Sequence, residues 1–460
     1  MADDVKARCA QVNRLPMAKS YGRIASAVLL CLALVLGGGS LRFPLTRLIV
    51  EAAGAAIFLW YAWRGWRAPV DPWSGAAMLL VLLMMLLPLS QVIPLPPSIW
   101  MALPGREDAA QITRAAGLAP LWMTISLQPD ATRLAGAYLI PPTVVLIATF
   151  HAPVEQRLRF GWAIVATSVV GALLGLLQAG GSEKFYLYDT GRFTAATGFF
   201  ANKNHYADML LIGIVLAPAL MAAARHFGLW APSRLVVAGI IAILTVALPA
   251  ANSRMGLALL PLALFPAILL LLPSRRLRQV RPRHVLIAAL GLIGLAAIAS
   301  GSGVVARLVN RFGGDPDARF KFWPDVIKSI DHYQPVGSGL GSFIKIFQRH
   351  ESMSTLDVTY VFHAHNDVME LALEAGWVGI ALIILAVMLW LVGAFRVLRR
   401  QAWGPFTPVH VACACGILII VIHSMVDYPL RTLTLACVVA YLSGCLAPAA
   451  SGADRTSQAI

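Results

Sequence analysis

Long apolar runs separated by short polar segments dominate the chain. Each of twelve runs is long enough to cross roughly 30 Å of hydrocarbon as an α-helix. The pattern predicts an all-α polytopic membrane protein with about twelve transmembrane helices and both chain ends on one side of the bilayer. Hydrophobic residues make up 58% of the chain and charged residues 13%, which excludes an ordinary soluble enzyme. The predicted spans are 24–40, 44–63, 74–93, 132–150, 160–178, 206–224, 234–251, 255–272, 284–303, 377–395, 408–424 and 430–447.

Basic residues concentrate in the N-terminal tail, in alternate loops and in the C-terminal tail. Because Lys and Arg are retained in the cytoplasm during membrane insertion, this asymmetry predicts that both termini are cytoplasmic. The whole formal net charge of +15 falls on that side. Positive-inside retention and anionic lipid headgroups account for the pI of about 10.0. The sequence therefore predicts the lipid bilayer as a partner and no binding of nucleic acid.

The long loops lie on the opposite, external side and run over 94–131, 179–205 and 304–376. Long connections without an apolar run of their own are usually functional or disordered. Aromatic and acidic residues recur in these loops, so we expect order and short helices. The predicted division is transmembrane helices 1–9 in 1–303, a large external loop carrying the candidate catalytic motif in 304–376, transmembrane helices 10–12 in 377–448 and a cytoplasmic tail in 449–460.

A cluster of titratable groups lies where the longest external loop meets the tenth predicted span. Charged groups near hydrocarbon are costly, so the cluster marks a candidate functional site. We predict a short helix over 367–375 that ends at Gly376, with its carboxylates on roughly one face. His365 then lies just outside the helix N-terminus, where partial positive charge favours the neutral imidazole that a general base needs. The cluster comprises His363, His365, Asn366, Asp367, Glu370 and Glu374.

Two alternatives remain open for this cluster. Its imidazole and carboxylate groups are also metal ligands, and its two histidines could be purely structural. A smaller polar group between the last two predicted helices could support the same site. The candidate metal ligands are His363, His365, Asp367 and Glu370, and the smaller group contains His423, Asp427, Tyr428 and Arg431.

A polar segment just before the sixth predicted span forms a second candidate region. Its glycines, amides and basic groups suit an anionic or sugar ligand. The alternative is a loop whose asparagines cap a helix. The residues concerned are Arg192, Asn202, Asn204 and His205.

Two further arginines lie on the external side. Arg254 follows Ser253 between two apolar runs, so its guanidinium either snorkels outward or binds an anion. Arg319 and Trp323 lie four residues apart at the start of a predicted external helix, with an aspartate at 315 or 317 as its cap. The alternative for Arg319 is a surface cation–π pair with the tryptophan.

Together these residues predict an external cleft with several arginines and a candidate base. Guanidinium groups bind diphosphate well, and a neutral imidazole can deprotonate a hydroxyl group. The combination suits glycosyl transfer from a lipid diphosphate sugar donor, in which the base activates the acceptor and the arginines bind the departing diphosphate. We therefore predict an enzyme that needs neither a metal ion nor another cofactor.

Five motifs follow one another in order along the chain. They are Gly198-x-Phe200-x-Asn202-x-Asn204-His205, Ser253-Arg254, Asp317-x-Arg319 with Trp323, Gly337-x-Gly339-x-Gly341 and His365-Asn366-x-x-x-Glu370-x-x-x-Glu374-x-Gly376. In this order they resemble the O-antigen ligase and polymerase superfamily, and the resemblance covers about residues 75–431. The earlier segments 91–97 and 126–133 resemble the ligase branch.

The resemblance implies a GT-C-like membrane glycosyltransferase of lipopolysaccharide biosynthesis. Such an enzyme moves O-antigen polysaccharide from undecaprenyl diphosphate to lipid A–core oligosaccharide at the periplasmic face of the bacterial inner membrane. It also implies metal-independent, inverting transfer, with His365 as the base and Arg192, Arg254 and Arg319 as diphosphate ligands. Supporting or substrate-binding roles are expected for Asn202, Asn204, His205, Ser253, Trp323, His363, Asn366, Glu370, His423, Asp427 and Arg431.

Other functions compete with ligation. An O-antigen polymerase or a protein O-oligosaccharyltransferase would use the same lipid-linked donor with a different acceptor. A secondary transporter or flippase would place charged residues or Gly/Pro breaks at mid-membrane. The polar groups of this chain collect instead at the external ends of its predicted helices, which favours an enzyme.

Overall fold

Packed α-helices form most of the structure, as the sequence predicts. The computed structural model describes residues 21–39, 43–64, 71–119, 121–181, 183–189, 194–272, 318–356, 360–399 and 404–447. In chain order the helices are α1 Tyr21–Leu36, α2 Pro44–Trp63, α3 Pro72–Gln91, α4 Pro97–Trp100, α5 Glu107–Ala115, α6 Pro129–Tyr138, α7 Ile140–His151, α8 Val154–Ala179, α9 Lys203–His226, α10 Arg234–Ala247, α11 Arg254–Leu271, α12 Ala318–Tyr333, α13 Phe343–His350, α14 Asp367–Arg399, α15 Thr407–His423 and α16 Leu433–Leu446. Two short strands, β1 Pro94–Leu95 and β2 Met123–Thr124, pair antiparallel, and 3₁₀ turns cover Glu183–Phe185, Pro249–Ala251 and Pro429–Arg431.

Eight helices within the described ranges are long and apolar enough to cross a membrane, and α1, α15 and α16 are shorter apolar helices. Together they match every predicted span except 284–303, which lies outside the described residues. One predicted span differs in detail, because 132–150 consists of α6 and α7, separated at Leu139. Arg192, the aspartates at 315 and 317 and the tail at 449–460 also lie outside the described residues.

Helix α9 lies at the centre of the bundle. Its residues are apolar on nearly all sides, which is typical of a helix surrounded by other helices, and it packs against α8, α10, α11 and α15. The Asn202 side chain caps its N-terminus by accepting a hydrogen bond from the Asn204 N–H at 2.9 Å. We call the end of the bundle at which α9 and α14 begin the site end. The first two turns of α9 place buried polar residues inside the bundle at the site end.

The short helices predicted within 304–376 are present in the described part of that segment. Helices α12 and α13 pack on the first turns of α14 through a second apolar cluster, separate from the core of the main bundle. Its buried aromatic residues are Phe322, Tyr333, Phe343 and Phe347. This cluster fixes α12 over the loop that leads into α14.

Gly376 divides α14 into a polar first part and an apolar second part. Its backbone angles, φ 57° and ψ −147°, lie in a region that only glycine adopts readily. A Cβ atom at this position would lie 2.1 Å from the carbonyl oxygen of Pro335. The predicted helix over 367–375 does end here, but the chain continues at once as a second helical segment.

The Gly337-x-Gly339-x-Gly341 motif forms a turn that packs on the end of the first part of α14. The Gly339 N–H donates to the Glu374 carbonyl at 2.8 Å, and the Gln91 amide donates to the same carbonyl at 3.0 Å. A Cβ on Gly339 would lie 2.2 Å from the Ser126 hydroxyl oxygen. Close backbone packing therefore accounts for these glycines.

Candidate active site

His365 lies immediately before α14 at the site end. Its φ of +50° is in the left-handed region, which is uncommon for a residue other than glycine. The next residue, Asn366, caps α14, because its side-chain oxygen accepts from the N–H groups of Val368 and Met369 at 3.0 Å. The position of His365 just outside the helix N-terminus is therefore as predicted, and the cap explains why asparagine follows it.

A carboxylate from another part of the chain orients the His365 ring. The distance between His365 Nδ1 and Asp427 Oδ1 is 2.8 Å. A carboxylate only accepts, so Nδ1 carries the proton and Nε2 of the neutral ring is the proton acceptor. The His365 side chain is 30% exposed, whereas that of Asp427 is fully buried. The buried Asp427 carboxylate thus orients the imidazole ring of His365, which remains partly exposed to solvent.

Asp427 is surrounded by groups that favour its ionised form. The Asn204 amide donates to it at 2.6 Å and the Asn202 amide lies 3.5 Å away. Burial alone would raise the pKa of Asp427, but the hydrogen bond from His365 and the positive charge of Arg319 hold it well below its usual range. Asp427 is therefore a fixed negative charge behind the candidate base.

Tyr428 lies among three imidazole rings. It stacks on His363 with ring centroids 4.0 Å apart, and it makes edge contacts with His365 at 4.9 Å and His205 at 5.0 Å. Burial raises the pKa of its hydroxyl group. The ring therefore fixes the spacing of the histidines predicted from two separate motifs.

The three carboxylates of the first part of α14 converge on Arg431. Its guanidinium lies 2.9 Å from Glu374, 3.2 Å from Glu370 and 3.8 Å from Asp367. Burial lowers the pKa of Arg431, but the three negative charges outweigh burial and raise it. The prediction that these carboxylates share one face is confirmed. Their contact with Arg431 ties α14 to the 3₁₀ turn before α16.

His363 forms a second imidazole–carboxylate pair. Its Nδ1 lies 2.8 Å from Glu370 Oε1, and the second oxygen of Glu370 accepts from the Ala364 N–H at 2.9 Å. Its side chain is mostly buried. The two histidines therefore bind different carboxylates. Across the parts of the chain the structure describes, no group of three or more His, Cys, Asp or Glu residues is arranged to hold a metal ion.

Helix α12 brings Arg319 and Trp323 to the site. The Arg319 guanidinium donates to the carbonyl of Val426, the residue before Asp427, and the Trp323 indole donates to the Ala364 carbonyl at 2.8 Å. Arg319 thus lies beside the buried carboxylate of the candidate base pair. The expected helix and the common face of these two residues are both present.

The other predicted diphosphate ligands are placed less directly. Arg254 is the first residue of α11, and Ser253 caps that helix by accepting from the Gly256 N–H at 3.1 Å. Gly256 packs on Ala207 in the second turn of α9, so this junction lies at the site end. Ser253 acts as a cap in the structure, which is a role the motif alone does not indicate. Arg192 lies outside the described residues.

Two buried residues that join this network are missing from the sequence prediction. Asp208 lies one helical turn after Asn204 on α9 and contacts His423, with 2.5 Å between carboxylate and imidazole. Thr432 contacts the His205 imidazole at 2.6 Å. The signal for Asp208 is a carboxylate in an otherwise apolar helix, four residues after an asparagine of the motif.

One comparison with known proteins identifies a family. Residues 238–384 match a family model described as O-Antigen ligase. The match includes Arg254, Arg319, His365 and the first part of α14, and it ends before Asp427. No curated protein matches the chain. The resemblance seen in the ordered motifs is confirmed for this segment, so the chain is a multi-pass membrane protein whose residues 238–384 are similar to the O-antigen ligase family.

Proposed function

We propose that this protein is a metal-independent, inverting glycosyltransferase that ligates O-antigen polysaccharide to lipid A–core oligosaccharide. The donor is polysaccharide linked to undecaprenyl diphosphate. The protein resides in the bacterial inner membrane with both termini in the cytoplasm and the site end at the periplasmic face. The match of residues 238–384 to the O-antigen ligase family model supports the lipid-linked polysaccharide as the substrate class.

His365 acts as the general base. Its Nε2 takes the proton from an acceptor sugar hydroxyl while that oxygen attacks the anomeric carbon of the donor. The bond between the anomeric carbon and the diphosphate oxygen breaks at the same time, so the configuration inverts and undecaprenyl diphosphate departs. Asp427 stabilises the imidazolium that forms, as a buried carboxylate does for other catalytic histidines.

Arginine side chains balance the charge of the leaving group. Arg319 lies next to the base pair, and Arg254 begins α11 at the same end of the bundle. With Arg192 they supply the guanidinium groups that bind a diphosphate in fork geometry. A phosphate leaving group stabilised in this way needs no metal ion.

The observation that carries the proposal is the His365–Asp427 pair. One imidazole edge bonds to a fully buried carboxylate and the ring remains partly exposed beside an arginine. A purely structural histidine has no need of an ionised, buried partner and an accessible second nitrogen. A transporter would place its titratable groups near mid-membrane, whereas this pair lies at the ends of α9, α14 and α15.

The direct test is reconstitution of the purified protein in liposomes with undecaprenyl diphosphate-linked polysaccharide, in the presence of strong chelator. Lipid A–core, a second lipid-linked glycan and a peptide are offered as separate acceptors. We expect product only with lipid A–core. Extension of the second glycan would identify a polymerase, and a glycosylated peptide would identify a protein O-oligosaccharyltransferase. Transport of the donor without any transfer would contradict the proposed enzyme class.

His365→Ala is the decisive variant in this assay. Loss of the base should lower kcat about a hundredfold to ten-thousandfold, the usual contribution of general base catalysis. The matched control is His226→Ala, which removes an exposed histidine at the far end of α9. Both variants should insert into the membrane like the wild type, and they are compared below their melting temperatures. Wild-type ligation by His365→Ala would remove this histidine from the mechanism.

A further inference from the structure

A third carboxylate–imidazole pair lies deeper in the bundle than the candidate base. Asp208 Oδ1 and His423 Nδ1 are 2.5 Å apart, and both side chains are almost completely buried. Within the described structure, the other oxygen of Asp208 and the Nε2 of His423 have no hydrogen-bond partner. Ionisable groups buried among transmembrane helices are costly and usually functional. The mechanism proposed above does not use them.

The Asp208–His423 pair lies one helical turn from residues that contact the candidate base. On α9, Asn204 and Asp208 are four residues apart and therefore lie on the same face, one turn from each other. At the end of α15, Asp427 follows His423 by four residues, and its N–H donates to the His423 carbonyl at 2.9 Å. Two parallel contacts thus link α9 to the end of α15. The contact nearer the site end joins Asn204 to Asp427. The deeper one, called the lower contact, joins Asp208 to His423.

We propose that Asp208 and His423 are a positioning pair that fixes Asp427, and through Asp427 the orientation and proton of His365. The lower contact holds the last turn of α15 against α9, so the Asp427 carboxylate meets both Asn204 and the His365 ring. It also keeps the His423 imidazole within electrostatic reach of Asp427. Neither residue touches substrate. This inference rests on the proposed role of His365 as a base.

The competing explanation is that the pair only holds two helices together. The two explanations differ in what an apolar replacement does. Exchanging a buried ion pair for well-packed hydrophobic residues is often neutral or stabilising. Asp208→Leu combined with His423→Leu should therefore keep the helices packed while it removes the polar contact and the charge. A structural pair would tolerate the exchange, whereas a positioning pair would not.

The first experiment measures kcat, KM and melting temperature of the double leucine variant in the liposome assay. We expect normal melting, little change in KM and a fall in kcat of about ten- to hundredfold, the usual loss when a group that orients a reacting side chain is removed. The acidic limb of kcat/KM should move to lower pH, because an Asp427 carboxylate that is held less firmly stabilises the His365 imidazolium less. The titratable groups facing Asp427 or His423 that contribute to this profile are His205, Asp208, Arg319, His365 and Tyr428.

Two further variants keep the test decisive. His423→Gln retains a hydrogen-bond donor to Asp208 but has no imidazole. Its kcat should lie between those of the wild type and the double leucine variant. The same measurement tests the proposal if the double variant does not fold. Ser168→Ala is the matched control. It removes a buried hydrogen bond to the Met209 carbonyl of α9, one residue from Asp208 but without contact to Asp427. We expect wild-type kcat for Ser168→Ala.

An assay without substrate separates this inference from the proposed function. Diethyl pyrocarbonate acylates neutral imidazole nitrogen, and mass spectrometry reports the rate at His365 against pH. The double leucine variant should show a shifted profile at His365, even if the wild type transferred no sugar. Wild-type kcat together with an unmoved His365 profile in the double variant would overturn the positioning role.

Discussion

Two buried arginines at opposite ends of the bundle have contrasting partners. At the site end, Arg431 contacts three carboxylates of α14. At the opposite end, Arg157 is fully buried and donates to the carbonyls of Phe150, Ala152 and Ala447 at 2.8 to 3.2 Å. Both arginines tie helix ends together. Only Arg431 does so through groups that can change charge.

The difference indicates where chemistry is possible. Backbone carbonyls do not titrate, so these three hydrogen bonds of Arg157 do not change with pH. Glu370, one of the carboxylates around Arg431, shares a hydrogen bond with His363, which stacks on Tyr428 next to His365. A change of charge in one of these groups therefore affects the neighbouring groups at the site end. The hydrogen bonds of Arg157 at the opposite end go to carbonyl groups that keep their charge.

The largest effect is expected from Asp427→Asn. The amide keeps the shape of the side chain but favours the wrong imidazole tautomer, and kcat should fall about a thousandfold or more. Arg157→Leu, at the opposite end, should leave kcat of the folded protein unchanged. Single-turnover transfer rates of both variants test this difference in kcat. Equal losses would remove the distinction between the two ends.

The same substitution has a pH signature in stability. The pKa of Asp427 is depressed in the folded protein, because the hydrogen bond from His365 and the charge of Arg319 overcome burial. Its stabilising contribution is therefore complete above the ordinary aspartate pKa of about 3.9 and is lost as pH falls towards the folded value. The gap in melting temperature between wild type and Asp427→Asn should be constant near neutral pH and narrow in acid.

Arg431→Leu should cause the largest loss of stability. It leaves three buried carboxylates without their cation, which costs about 3–5 kcal/mol for a broken buried pair. Protonation of the carboxylates relieves the repulsion, so the loss should shrink as pH is lowered. Arg157→Leu should destabilise by an amount that changes less with pH, because its hydrogen bonds go to backbone carbonyls. Denaturant titrations in detergent at two pH values test the contrast, and a pH-independent loss in Arg431→Leu would contradict it.

Gly376→Ala should weaken the junction between the polar and apolar parts of α14. The backbone strain costs about 1–3 kcal/mol, and contact with the Pro335 carbonyl adds to it because Pro335 approaches to 2.1 Å of the new Cβ. Gly239→Ala is the control, since a Cβ in that helical position meets nothing within 4 Å. Thermal melts should show a clear decrease for Gly376→Ala and no decrease for Gly239→Ala.

Local patterns predicted the parts of the site that are close in sequence. The break at Gly376 and the shared face of Asp367, Glu370 and Glu374 follow from helix periodicity and glycine geometry. The Asn202 cap of α9 is likewise local. These features need only a few consecutive residues, so an isolated segment carries the information.

Pairings between distant segments could not be predicted in the same way. His365 contacts Asp427 only because the start of α14 lies beside the end of α15. Asp208 contacts His423 only because α9 packs on α15. Hydropathy gives the helices but not their neighbours. The sequence therefore indicated a candidate base and a satellite group, and the packing of helix ends made them a pair.

The smallest effect we predict is that of Arg319→Lys, with about a tenfold loss of kcat/KM. One guanidinium arm of Arg319 binds the Val426 carbonyl, and lysine cannot keep that contact while it offers a fork to a diphosphate. Arg254→Lys should behave in the same way. The matched control is Arg225→Lys, since Arg225 also binds a backbone carbonyl, that of Pro232 at 2.8 Å, but at the opposite end. Full activity of Arg319→Lys and Arg254→Lys would make them anchors like Arg157, whereas a loss confined to the site end means that only its arginines bind the donor.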